Sequence, residues 1–130
     1  MDRASFHFRN KILDFDCQDG KIAISCFSDG LDVISINQDS LNNIKLVPYK
    51  GDRISRTCIS CLWLNSTTFA ASDKKNNVQL CSVEEDYRYI KNIKTLSFKE
   101  MIILLFKFDG RIYCETISGS IIDISREAEK

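Results

Sequence analysis

The same pair of tight-turn signals is written twice into this chain, once near each end. Asp19-Gly20 and Asp29-Gly30 stand near the start, Asp109-Gly110 and Ser118-Gly119 near the end. Each sits between short apolar runs, the pattern of consecutive hairpins, whose two-residue turns need positive φ and so favour Asp-Gly. The offsets agree: 110 − 20 = 90 and 119 − 30 = 89, twice a period of about 45 residues. A middle unit is therefore required, and the sequence supplies it. An apolar run at 58–64 breaks at Asn65-Ser66-Thr67, whose side chains hydrogen-bond their own backbone. A second run, 68–72, ends at Asp73-Lys74-Lys75-Asn76-Asn77, where either Asn can take positive φ, and Val78 opens a third strand. Several short strands per copy at such a period are the mark of β-propeller blades.

The strands then read as follows. Unit one has 11–16, 21–27, 31–37 and an outer strand at 43–47, ended by Pro48, the only proline. Unit two has 58–64, 68–72, 78–83 and an outer strand at 87–93; unit three has 101–108, 111–116 and 120–125, and lacks a fourth. Residues 126–130 are too few for more than a frayed helical turn. The reading is all-β: a single partial domain over 1–130, made of about three four-stranded antiparallel blades of a WD-like β-propeller at roughly 11–48, 54–93 and 98–125. A propeller takes four or more blades. Three leave strand edges and inner faces uncovered, which predicts docking on a partner, self-association through the open blade edges, or that the sequence is a remnant of something larger.

Composition narrows the function. Lys+Arg 18 against Asp+Glu 18 gives zero formal net charge, against the concentrated basic surface that phosphate neutralisation needs. The longest apolar run, Met101-Ile-Ile-Leu-Leu-Phe106, is far below a bilayer span and reads as a buried strand, so no membrane partner is expected. The first residues, Met1-Asp-Arg-Ala-Ser-Phe-His-Phe-Arg9, carry no apolar signal segment, so no secretory route is expected and the six cysteines read as reduced core thiols.

Candidate chemistry is sparse. Cys58-x-x-Cys61 has zinc-knuckle spacing, but positions i and i+3 of a regular strand face opposite sides, no second such pair exists, and His7 is the only histidine. Asp14-Phe-Asp16-Cys-Gln18-Asp19-Gly20 approaches a calcium loop, but the glycine is one place late and the twelfth position is Ser25. No Gly-rich phosphate loop, nucleophile elbow or carboxylate cluster is present, so no catalytic residue, cofactor or metal site is assigned and no enzyme activity is expected. Asp73 reads as a turn residue accepting from backbone amides, Trp63 as core, and Lys91-Asn-Ile-Lys94 as solvated outer strand. Arg56, at the start of a strand, suits either a structural or a contact role.

The run from Arg56 to Val78 also carries a family resemblance. It resembles the C-terminal propeller of the CPSF-A family, which comprises the large propeller subunit of splicing factor 3b and the large subunits of damaged-DNA-binding protein and of cleavage and polyadenylation specificity factor. Arg56, Trp63-Leu64-Asn65, Thr68-Phe69-Ala70-Ala71-Ser72-Asp73-Lys74 and Asn77-Val78 fall without a gap on that family's Arg, Leu-Leu-Asp, Thr-Val-Ala-Gly-Ala-Asp-Lys and Asn-Ile. Downstream, Glu115-Thr-Ile-Ser118-Gly119-Ser-Ile121 is similar to its Thr-x-Ser-Gly-Gly-Ile. The sequence departs from the pattern at Thr57, Asn76 and Ser120, and lacks the C-terminal helices. The resemblance marks Arg56, Asp73, Lys74, Asn77, Ser118 and Gly119 as family-motif positions, structural or rim contacts. It implies a scaffold in nuclear pre-mRNA processing whose partners are protein subunits of an RNA-processing complex, with indirect RNA association and a role in spliceosome assembly. The alternative it implies is a nucleic-acid-binding subunit of a cleavage/polyadenylation or DNA-damage recognition complex.

Overall fold

Among the described residues, twelve strands form three sheets. The computed structural model describes residues 12–18, 21–26, 30–37, 40–45, 47–48, 58–84 and 89–128. Sheet I is a four-stranded antiparallel meander of β1 (Ile12–Gln18), β2 (Lys21–Cys26), β3 (Gly30–Asn37) and β4 (Ser40–Lys45). Then come β5 (Val47–Pro48), β6 (Cys58–Trp63), β7 (Thr68–Asp73), β8 (Asn77–Glu84) and β9 (Tyr89–Ser97), which form sheet II in the order β5-β9-β8-β7-β6. Sheet III holds β10 (Ile102–Phe108), β11 (Arg111–Thr116) and β12 (Ile121–Asp123), followed by the single turn of α1 (Ser125–Ala128).

Apart from β5 the element order is the one that turn spacing predicts, and apart from the parallel β5–β9 pair the sheets are built of antiparallel hairpins. Turn chemistry explains the corners. Asn65 Oδ1 accepts from the N–H groups of Thr67 and Thr68, both at 2.9 Å, and reverses the chain between β6 and β7. Asp109 and Gly110 both have positive φ, 51° and 76°, the requirement of a type I′ hairpin between β10 and β11.

Several boundaries differ from the sequence reading. The outer strand of sheet I is 40–45, not 43–47, and Pro48 does not end it. Val47 and Pro48 pair in parallel with Tyr89 and Ile90 at the far edge of sheet II, where proline's missing N–H is least needed. β9 continues to Ser97 because β8 offers partners along its whole length, Asn77 standing opposite Ser97. β12 stops at Asp123, whose Oδ1 accepts from Ser125 N at 2.9 Å and turns the chain into α1.

In each sheet the strand at the start of the antiparallel run is irregular. The register shifts between Ile12 and Asp14 in β1, between Cys58 and Cys61 in β6, and between Ile102 and Leu104 in β10. One extra residue in each case makes a β-bulge. In β6 this overturns the expectation that Cys58 and Cys61 face opposite sides. With Cys58 opposite Asp73 and Cys61 opposite Ala71, three steps on β6 match two on β7. Both thiols therefore lie in one cluster, each 1% exposed.

Sheet II is covered on both faces, which explains the near-continuous apolar run of β6. One face carries Cys58, Cys61, Trp63, Phe69, Ala71 and Cys81; β1 and β2 of sheet I lie against β6. The other carries Leu62, Ala70, Val78 and Leu80, packed with Ile102, Leu105, Ile112 and Cys114 of sheet III. Trp63 and Phe69 meet edge to face at 5.6 Å and are fully buried. At about 1.5–3 kcal/mol for a large apolar side chain removed from water, this pair anchors the first of the two cores.

Candidate interaction site

The edge strands β1, β6 and β10 lie side by side, and among the described residues no strand pairs with their inner edges. Side chains of sheets I and II cover the edges of β6 and β10 instead. Asp14 Oδ2 accepts from the Ser60 hydroxyl at 2.7 Å and from Cys61 N at 3.1 Å, while Asp16 Oδ2 accepts from Trp63 N at 2.7 Å. Ser60 Oγ then accepts from Leu105 N at 2.9 Å. Aligned on the bulges, Asp14, Ser60 and Leu104 hold the same place in their strands, as do Phe15, Cys61 and Leu105. The acceptor of one sheet thus meets the next residue's N–H of the following sheet, over separations of 47 and 45 residues.

The series weakens along the chain. Sheet I contributes two carboxylates, Asp14 and Asp16; sheet II contributes the hydroxyl of Ser60 and the apolar Leu62; sheet III has Leu104 and Phe106, which accept nothing. At the start of the series Phe15 N donates to its own Asp14 Oδ1 at 2.9 Å. A cleft of about 430 Å³ runs beside these strands, lined by Asp14, Asp16, Cys61, Leu105 and Lys107 among others.

Comparison with known proteins follows the fold rather than the sequence. No known family and no curated protein matches the chain. Among solved structures, Saccharomyces cerevisiae Sqt1 superposes with a TM-score of 0.64 at 11% identity, over 95% of this chain and 35% of that one. The chain therefore spans about a third of Sqt1, and at this identity the likeness is one of fold alone. The computationally designed protein Ika4 has a TM-score of 0.49 at 6% identity, covering 95% of this chain and 96% of its own.

Of the family-motif residues, Arg56 lies outside the described residues. Asp73 is 3% exposed, and its Oδ1 accepts from Lys75 N at 2.7 Å and Asn77 N at 3.1 Å, the turn role expected of it. Asn76 in that turn has φ 63°. Lys74 is exposed, and Asn77 Oδ1 accepts from the Ser97 hydroxyl at 3.1 Å. Ser118 donates to Glu100 Oε2 at 2.7 Å, and Gly119, at φ 97°, donates its N–H to Thr116 O at 2.9 Å. The connection between β9 and β10 links the two turns: Phe98 N donates to Asn76 O, and Ile117 N to Met101 O. All the described motif residues are thus brought to one end of sheets II and III, where they build corners.

Among the described residues no three His, Cys, Asp or Glu side chains are placed to hold a metal. Burial pushes the Cys114 thiol up to about 11. Hydrogen bonds from Ser125, with Arg111 adding its charge, hold Asp123 down at about 2. No helix of the described residues is long and apolar enough to cross a membrane.

Sequence reading missed Asp14, Asp16 and Ser60 as a set. The first two looked like a failed calcium loop, and Ser60 had no role. The findable signal was spacing, since 60 − 14 = 46 is one repeat period.

Proposed function

We propose that this chain is a non-catalytic assembly module, about three blades of a WD-like propeller, which serves as a protein–protein scaffold in nuclear pre-mRNA processing. The observation that carries the reading is the cross-sheet hydrogen bonding of Asp14 to Cys61 and Ser60 to Leu105, repeated at the sequence period. A contact that recurs once per repeat, between neighbours only, is how stacked repeats hold together. The likeness to Sqt1 supports the architecture and is silent on the role. The resemblance of 56–78 and 115–121 to the CPSF-A family supplies the role, with protein subunits of an RNA-processing complex as partners and the splicing factor 3b setting as the closest in motif.

Large apolar side chains exposed on the two end sheets support docking over catalysis. Phe15 is 63% exposed on sheet I, and Phe108 and Ile121 are 69% and 62% exposed on sheet III. Affinity purification of the tagged chain from its native cells tests the reading. Recovery of splicing or polyadenylation subunits is the expected result; a recovered set containing none of them overturns it.

A further inference from the structure

The ends of the cross-sheet series complement one another. At the sheet III end, the place that Asp14 and Ser60 hold in sheets I and II is taken by Leu104, 39% exposed, with no acceptor to offer the next sheet. At the sheet I end, the N–H that would need such an acceptor is Phe15's, already met by Asp14 Oδ1. A sheet I placed beyond sheet III therefore leaves no inner-strand N–H orphaned at this position, whereas a sheet with a free N–H there would suffer an unmet donor. The side chains match as well. In β1, Phe15 alternates with Asp14 and Asp16, which reach sheet II, so it stands on the opposite face. In sheet III, Leu104, Phe106 and Tyr113 share the face turned away from Leu105 and Cys114, and Phe106 stacks on Tyr113 at 5.5 Å.

From this complementarity we propose that two copies of the chain join into a closed ring of six sheets, the face of sheet III that carries Leu104 in each packing on the face of sheet I that carries Phe15 in the other. The inference rests on the partial-propeller reading and assigns the end faces to a second copy of the chain, leaving other partners to the remaining surface. Two copies give six blades, inside the usual range of four to eight, and three would give nine, beyond it. The contact is heterologous, and a two-fold axis closes it. Packing of the new junctions continues the geometry by which sheet III already covers sheet II.

Light scattering on the purified chain tests this directly, since scattering mass is independent of any cellular partner. The expected mass is twice 14.9 kDa. Phe15→Asp and Leu104→Asp, each on one of these faces, are expected to halve the mass while the strand signal in circular dichroism persists; should either unfold the chain, the serine variant replaces it. An equimolar mixture of the two aspartate variants is expected to regain dimer, because one of its two junctions is wild type. Ile93→Asp, at an exposed position of β9 away from both faces, is expected to stay dimeric. A folded wild-type monomer at tens of micromolar, a mass of three or more chains, a dimeric Phe15→Asp variant or a monomeric Ile93→Asp variant each overturns the ring. Any of these leaves the scaffold reading to the purification experiment, so the two fail separately.

Discussion

Ser60 Oγ stands 2.7 Å from Asp14 Oδ2, across a gap of 46 residues and between two sheets. The hydroxyl works in both directions, donating to sheet I and accepting from Leu105 N of sheet III. One small side chain thus ties all three sheets at β1, β6 and β10, and its 1% exposure removes water as a substitute partner.

Ser60→Ala is therefore expected to destabilise the chain more than its size suggests. It strands the Leu105 N–H in a buried site and removes a donor from Asp14, for a cost of about 1–3 kcal/mol. Urea unfolding measures it: the midpoint falls and the slope stays the same. A change under about 0.5 kcal/mol, the ordinary surface value, would mean the contact is incidental.

Asp73 offers a test that separates a corner from a contact. Its Oδ1 holds the amides of Lys75 and Asn77, and hydrogen bonds to a charged acceptor contribute about 1.5–3 kcal/mol each in favourable cases. Asp73→Ala is expected to lose about 2 kcal/mol in urea unfolding and Asp73→Asn, which keeps an acceptor oxygen, less. Lys74→Glu, on the exposed neighbour, is expected to change stability by less than about 0.5 kcal/mol. A stable Asp73→Ala that no longer recovers partner proteins would instead make this residue part of the docking surface.

What the sequence made legible was whatever is local. Asp109-Gly110 announces its hairpin because two successive positive φ values leave few residue choices, and the paired turns gave the three sheets in order. What stayed hidden depends on distant strands meeting. A bulge adds one residue without disturbing the apolar run Cys58-Ile-Ser-Cys-Leu-Trp63, so the alternation that separated Cys58 from Cys61 failed unnoticed. Val47-Pro48 joins sheet II only because β9 lies beside it. Asp14 and Ser60 share only a spacing of one repeat period until their strands are adjacent.

The cysteines predict a sharp pattern of reactivity. Cys17 is exposed, while Cys58, Cys61, Cys81 and Cys114 are buried among apolar side chains. Burial also pushes Cys114 from 9.0 to about 11, leaving it about a hundredfold less thiolate at neutral pH. Short treatment of the native chain with iodoacetamide, read by peptide mass, is expected to modify Cys17 ahead of those four, which stay protected until denaturant is added. Early modification of Cys58 or Cys61 would contradict the packing of the first core.

The last prediction concerns acid. Asp123 is held at about 2, against an ordinary value of 3.8, by hydrogen bonds from Ser125 and by Arg111, whose Nε donates to Oδ2 at 2.7 Å. A carboxyl lowered on folding contributes stability that is present above its unfolded value and is lost as pH falls through the folded one. The window is therefore about pH 5 down to 2, with the unfolded chain binding more protons throughout it. Asp123→Asn removes the titration, so wild type should exceed the variant at pH 5 and above, and the gap should close as pH approaches 2. Because the Arg111 pair is exposed, salt is expected to narrow the gap but not abolish it, the Ser125 hydrogen bonds being local. Thermal melts of both proteins between pH 2 and 7 decide it, and a difference as large at pH 2 as at pH 7 would show that charge at Asp123 does not stabilise the turn into α1.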